Sequence, residues 1–440
     1  MRLSVLASTL VLMSSTSSLA LAGGFSVDEY SAADMGRANA GFASQTTDAS
    51  VAFANPALMA RFGSAMVSGT LSGNLISSRF RDAGSVDLFG NPLGGSTDGF
   101  LKDAVVPAFY AVIPVSHDLA FGLALTTPFD ADNKYDAGWP GRYQSAETRL
   151  QTILISPSLS YAITDRLAVG GGVDVLYAKA TIGSALDFGA LCLADVGPAT
   201  CVPLGLLPQS ADGALRADGD DFDIGWNLGL AWSPADNWLF GAHYRSGFSP
   251  TLKGGADFTV PPQAAFLTAG GAFIDTSAST TLQLPGHAEF SARWSASPAL
   301  SVFASAVWTD WSVLKNQTLV FANPAQPDSI EPLNYHDTWR YALGVDYDLN
   351  PSWTLRAGFA VDETPTNSAF PTPRIPDANR QVYALGATWH ASPGWTLDLA
   401  YNRVNLDDSS LNRVGVFGDR LIGTFSSDAD VIGVGVSRSW

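Results

Sequence analysis

The sequence predicts an all-β chain, an antiparallel transmembrane β-barrel of about 14 strands with an N-terminal hatch, or plug, in its lumen. Three observations carry that prediction. From about residue 64 to the end, large apolar residues recur at every second position: Phe222, Ile224, Trp226, Leu228 and Leu230 are separated by small or polar residues. Charged residues make up only 15% of the 440 positions, against 11% aromatic, 12 Trp and 42 Gly. Mean hydropathy is +0.12, yet past the N-terminus no run approaches the ~18 apolar residues of a membrane helix. Finally, the spacers between alternating segments are short and long in turn.

Taken in order, residues 1–22 form the first element. Arg2 gives a positive start, Leu3 to Leu21 is largely apolar, and Ala20-Leu21-Ala22 is a small-x-small cleavage site. This pattern predicts a secretory signal peptide, with the mature chain starting near Gly23 outside the cytoplasm; a first core helix is the alternative. Residues 23–63 do not alternate. They mix Asp28, Glu29, Asp34, Arg37 and Asp48 with small residues and end in Asn55-Pro56-Ala57-Leu58. A polar tail is one reading, but Phe25, Tyr30, Met35, Phe42 and Phe53 need a surface to pack on, and the lumen offers one. Residues 64–440 are the barrel. Short turns are expected at Pro114–Asp118, Thr164–Asp165, Ser233–Asn237, Ala296–Ala299, Asn350–Pro351 and Ser392–Gly394. Long connections are expected at Arg81–Lys102, Pro128–Glu147, Ser184–Asp220, Pro250–Thr280, Asn316–Asn334, Asp362–Ala378 and Asp407–Asp428. A soluble sandwich would also alternate, but it has no reason to place every long loop at one end, whereas an up-and-down barrel does so by construction. Trp232, Trp238, Trp294, Trp353, Trp389 and Trp395 lie beside the short turns, where an aromatic girdle would fall. Ile432, Val434 and Val436 alternate toward a terminal Trp440, as in a closing barrel strand.

Composition also excludes several function classes. With 24 basic against 41 acidic residues the formal net charge is −17, which leaves no nucleic-acid footprint. The only cysteines, Cys192 and Cys201, stand close together in a Pro/Gly-rich stretch and predict an oxidised loop staple, with two unpaired thiols as the alternative. Two Cys without a nearby His fall short of a metal site. The five His (His117, His243, His287, His336, His390) show no ligand spacing, and although His243 shares the lumen face with Arg245, no nucleophile accompanies it. An outer-membrane hydrolase is therefore disfavoured, no cofactor is expected, and a plug with apolar loops argues against a general diffusion porin.

Several segments carry a family resemblance. Gly24-Phe25-Ser26-Val27-Asp28-Glu29-Tyr30-Ser31, Met35-Gly36-Arg37-Ala38 and Asn55-Pro56-Ala57 resemble the N-terminal hatch of the long-chain fatty-acid transporter family of the outer membrane, which also includes toluene and other aromatic-hydrocarbon channels. The likeness continues at Val106–Tyr110, Tyr244-Arg245-Ser246, Leu282-Gln283-Leu284-Pro285, Trp308–Ser312, Thr338–Gly344, Asp362–Pro365 and Ile375–Arg380, where similar proteins carry an acidic residue in place of Asn379. The resemblance implies a fourteen-stranded barrel, a hatch that blocks straight passage, and exit through a sideways gap made by an inward kink in the third strand. The matching strand is Leu119–Thr127, with Gly122 and the strand-ending Pro128 as candidate kink residues. Ordinary lumen-side packing at Gly122 and a simple loop start at Pro128 are the alternatives.

Two long loops are rich in apolar residues, one with Phe188 and Leu191, the other with Phe266 and Phe273. They either pack together to cap the barrel or receive an apolar ligand, and the resemblance implies capture. Each buried methylene contributes roughly 0.8 kcal/mol, so an acyl chain supplies most of the affinity and a basic residue would only place the carboxylate. Strand parity puts Arg245, Arg293, Arg340 and Arg356 inside, where each could instead pair with inward acids. Arg340 is the best carboxylate candidate because it lies within a resemblance motif. Lys179 is a second, where similar proteins carry a basic residue, although its parity places it on the lipid side with Val175 and Tyr177. The expectation is passive uptake of a long-chain fatty acid, or else an aromatic hydrocarbon, by a monomer set in outer-membrane lipid and lipopolysaccharide. Its loops capture the ligand, movement of the hatch near Phe25 and Asn55-Pro56-Ala57 frees it, and it exits sideways.

Overall fold

The computed structural model describes residues 23–440; the expected leader, residues 1–22, lies outside the described residues. The chain forms a closed antiparallel barrel of 14 strands. They are β1 Met66–Asp82, β2 Ala104–Pro114, β3 in two pieces (Leu119–Thr126 and Asp130–Lys134), β4 Glu147–Thr164, β5 Leu167–Asp187 and β6 Asp212–Trp232. Next come β7 (Trp238–Arg245, Thr251–Thr259), β8 (Thr276–Thr281, His287–Ser297), β9 (Leu300–Thr309, Asn316–Phe321) and β10 (Ser329–Pro332, Thr338–Asn350), each interrupted once. β11 Trp353–Asp362, β12 Arg380–Ser392, β13 Trp395–Leu406 and β14 Arg420–Ser439 complete the wall. β1 pairs with β14 from Met66↔Ser439 to Asp82↔Gly423, which closes the sheet and removes its edges.

The alternation becomes two faces. On β6, Phe222, Ile224, Trp226, Leu228 and Leu230 point outward and are exposed, while Asn227 and Ala231 point inward and are buried. Trp238 stacks on Trp294 at 5.9 Å and Trp353 on Trp389 at 6.2 Å, all outward beside the short turns. Several connections expected to be loops contain strand. Thr251–Thr259 pairs with Thr276–Thr281 inside the span Pro250–Thr280, and Asn316–Phe321 pairs with Ser329–Pro332 inside Asn316–Asn334. Thr276–Thr281 contains only Thr, Ser and Ala, and the other extensions mix polar and small residues with scattered apolar ones, so none repeats the alternating large apolar face that marks a lipid-facing strand. The span Ser184–Asp220 holds the rest of β5, the start of β6, and helices Phe188–Asp195 and Pro198–Cys201.

Residues 23–63 run along the inside of the wall as a chain of short helical turns: Ala32–Met35, Phe42–Ser44, Val51–Ala54 and Pro56–Arg61. The contact is backbone to backbone in places. A Cβ on Gly358 of β11 would lie 2.1 Å from the carbonyl carbon of Arg37, and one on Gly229 of β6 would lie 2.0 Å from Asn55 Oδ1. The wall needs glycine there because the inner segment occupies the side-chain space.

Candidate functional site

The third strand is broken. Thr126 pairs with Leu154 and Asp130 with Gln151, so β3 takes four steps where β4 takes three, an inserted residue at Thr127-Pro128-Phe129. Thr152 bridges the insertion: its hydroxyl accepts the Phe129 N–H at 3.1 Å and donates to the Phe129 carbonyl at 2.6 Å. On the other side β2 pairs with β3 only from Phe109↔Leu125 to Pro114↔Ala120, and its half Ala104–Ala108 is laddered to β1 alone. Pairing resumes beyond the break, where Lys102 donates to the Asp132 carbonyl at 3.3 Å and Lys134 to Phe100 at 2.8 Å. Pro128 therefore interrupts the strand expected to end there. Gly122 stays paired with Val112, and Met59 of the inner segment packs into the space a side chain would take.

The start of the inner segment fills the break from within. Val27 N–H donates to the Pro128 carbonyl and Asp130 N–H to the Phe25 carbonyl, both at 3.0 Å, while Val27 packs on Val106 of β2. Two carboxylates hold the tip of this arm: Gly23 N–H donates to Asp362 Oδ2 at 2.8 Å and Gly24 N–H to Asp377 Oδ2 at 2.9 Å. The rest of the segment is fixed more heavily. Arg37, fully buried, pairs with Asp34 and with Asp346 at 2.8 Å, and Arg356 lies between Asp346 at 3.4 Å and Asp398 at 3.7 Å. Asn55 donates to the carbonyls of Ala43 at 2.8 Å and Leu230 at 3.0 Å and accepts the Ala57 N–H at 3.1 Å. Asn55-Pro56-Ala57 is thus seated on β5 and β6.

Above the arm lies an apolar cavity of ≈ 130 Å³ lined by Phe25, Leu150, Leu252, Leu282, Leu314, Leu319, Leu333 and Ile375. Leu282, Leu314 and Leu333 come from the interruptions in β8, β9 and β10. Arg374 lines the cavity too. Glu331 Oε2 accepts from Arg374 at 2.7 Å, its Oε1 accepts from Arg413 at 2.8 Å, and the Thr372 hydroxyl also donates to it. Burial pushes the Glu331 carboxyl up, but the two guanidiniums and the hydroxyl outweigh burial and hold it below the usual carboxylate range. Two cations share this one anion, and Arg149 and Asp218 are the other charged residues lining the cavity.

Phe25 forms the floor, edge-on to Trp311 at 4.8 Å and to Phe129 of the break at 6.0 Å. On the other side of the arm is a second, polar chamber of ≈ 90 Å³, whose lining includes Asp28, His243, Arg245, His287, Glu289 and Arg340. Arg245 pairs with Asp174 of β5 at 2.6 Å. Arg340 pairs with Asp28 of the arm at 3.2 Å and donates to the Ala38 carbonyl at 2.8 Å.

The other residues singled out from sequence fall elsewhere. Phe188, Leu191 and Phe273 pack in one cluster where the two apolar loops meet, Phe188 against Phe273 at 5.1 Å, and Phe266 is 41% exposed. None of the four lines the apolar cavity. Cys192 and Cys201 are bonded within that cluster. Lys179 is exposed on the outer face, opposite Gln151 and Asp220, as its parity indicates. Asn379 Oδ1 accepts the Thr364 N–H at 2.9 Å. Sequence reasoning missed the leucines of the cavity and the Glu331–Arg374–Arg413 group. The available signal was large apolar residues at lumen parity, such as Leu150 and Leu252.

Comparison with known proteins converges on one family. The family described as outer membrane protein transport protein (OMPP1/FadL/TodX) matches residues 13–440. Outer membrane protein P1 of Haemophilus influenzae is 29% identical, covering 94% of each chain. The long-chain fatty acid transport protein of Escherichia coli is 26% identical, covering 87% of each. The crystal structure of a Pseudomonas aeruginosa FadL homologue superposes with a TM-score of 0.86 at 28% identity, covering 94% of this chain and 99% of that one. The closed barrel, its lumen segment and the match along nearly the whole chain place this protein in the FadL/TodX family of outer-membrane channels for hydrophobic compounds.

Proposed function

We propose that the protein takes up long-chain fatty acids passively. It binds them in the apolar cavity and releases them sideways through the break between β2 and β3 when the arm Gly23–Asp28 withdraws. The observation that carries this reading is the double position of Phe25. Its ring floors the cavity while its carbonyl is bonded to Asp130 at the break, so a ligand pressing on the ring acts on the segment that fills the opening. Sideways release keeps the acyl chain out of water, where it would lose what burial gave it, on the order of 10 kcal/mol for a long chain. The guanidiniums of Arg149 and Arg374 in the cavity lining favour an acid over a hydrocarbon, because a carboxylate entering the cavity would otherwise be left unpaired. The moving part in this scheme is the arm, with Asn55-Pro56-Ala57 and the Arg37 ion pairs as its anchor.

Competitive binding to the purified protein tests the substrate class. Oleate should bind more tightly than oleyl alcohol, which shares its chain, and more tightly than toluene. Tighter toluene binding, or indifference to the carboxylate, would assign the cavity to aromatic hydrocarbons.

A further inference from the structure

We infer that Arg340 is a second, internal carboxylate site, and that Asp28 occupies it as a stand-in until the arm moves and a ligand carboxylate takes its place. The inference rests on the fatty-acid reading above and adds the station at which the head group is held between cavity and break. Arg340 is the chamber cation whose acidic partner can leave. Arg245 is paired with Asp174, a wall residue on β5, and also donates to the Phe53 carbonyl at 3.0 Å, so its contacts persist whatever the arm does. The partner of Arg340 is Asp28, on the arm, with its side chain 31% exposed toward the chamber. That pair is the longer of the two: Asp28 Oδ2 is 3.2 Å from Arg340 Nε, against 2.6 Å between Arg245 and Asp174. Withdrawal of the arm would leave the guanidinium with the Ala38 carbonyl as its remaining hydrogen-bond partner, and with Asp362, its cross-strand neighbour, and Glu289 as the wall carboxylates of the chamber.

A ligand carboxylate replaces the Asp28 carboxylate at Arg340 one for one. Asp28 takes a negative charge out as the ligand brings one in, so the chamber, which also holds Glu289, keeps its charge count through the exchange. A second observation points to a guest at this place. His243, 4% exposed, turns its Nε2 into the chamber with no hydrogen-bond partner among the described residues. A buried imidazole nitrogen without a partner is costly unless water or a ligand oxygen meets it. The chamber also borders Pro128 and Phe129, so a head group on Arg340 leaves its tail free to enter the break.

Calorimetric titration of the purified protein with oleate tests the exchange. Wild type should bind one tight equivalent, in the outer cavity. Asp28→Asn, which keeps the shape and removes the charge, should gain a second equivalent for oleate and none for oleyl alcohol. Asp28→Asn combined with Arg340→Gln should lose that second equivalent, and combined with Arg340→Lys should retain it with weaker affinity; the persisting first equivalent reports that each variant is folded. A single equivalent in Asp28→Asn, or a second that survives Arg340→Gln, overturns the internal site while leaving the fatty-acid reading standing. Absence of any oleate equivalent in wild type overturns the fatty-acid reading itself, and the exchange with it.

Discussion

Gly358 shows how a single position ties wall to contents. Its missing side chain is the space in which the Arg37 backbone lies, and a Cβ would stand 2.1 Å from the Arg37 carbonyl carbon. Gly358→Val should therefore lower the unfolding free energy by about 1–3 kcal/mol and loosen the inner segment, read as faster proteolysis near Arg37 before the barrel unfolds. Gly255→Ala is the control, because a Cβ there meets nothing within 4 Å, and it should change stability by less than about 0.5 kcal/mol. At this scale parity was a good guide: Arg245, Arg340 and Arg356 point inward and Lys179 outward, as alternation alone dictates. What parity cannot reveal is the partner, because Asp28 meets Arg340 across 312 residues of sequence, and only closure of the barrel brings them together.

At the scale of elements, the strands facing lipid were legible because each repeats a large-apolar, small-polar period. The extensions beyond the bilayer were not, since water or other loops meet both of their faces and no period is imposed. The group at Glu331 belongs to that hidden part. It joins the extension Ser329–Pro332 of β10 to the connections carrying Arg374 and Arg413. Its folded carboxyl sits below the unfolded value, so its contribution to stability is complete above pH ~4.3 and is lost as the pH falls through the lower folded value. Hydrogen exchange at residues 329–332 and 372–374 should accordingly stay slow at neutral pH and quicken only in acid below about pH 4. Glu331→Gln should show the quickened exchange at pH 7 already, corresponding to about 1–3 kcal/mol of lost local stability after allowing for its partial exposure. Unchanged protection in that variant would mean that the apolar contacts of the cavity hold these connections without the ion pairs.

For the whole molecule, the question is whether the wall opens or the lumen does. The inner segment is fastened unevenly: its middle is held by buried ion pairs and glycine contacts, its first residues by two carboxylates and two backbone hydrogen bonds at β3. A passage straight down the lumen would require the heavily fastened part to leave, breaking buried pairs that cost about 3–5 kcal/mol each when one partner is removed. A passage through the wall requires only the arm to withdraw, because β2 and β3 already lack a ladder beside it. Val27 and Val106 touch across that opening, so Val27→Cys with Val106→Cys should form a disulfide that pins the arm there. Uptake of oleate by cells carrying the doubly substituted protein should fall to background when oxidised and recover on reduction. Wild type treated in the same way should be unaffected, which controls for the native Cys192–Cys201 bond. Full uptake through the oxidised protein would show that ligand passes without moving the arm, and would turn attention from the break in β3 to the lumen.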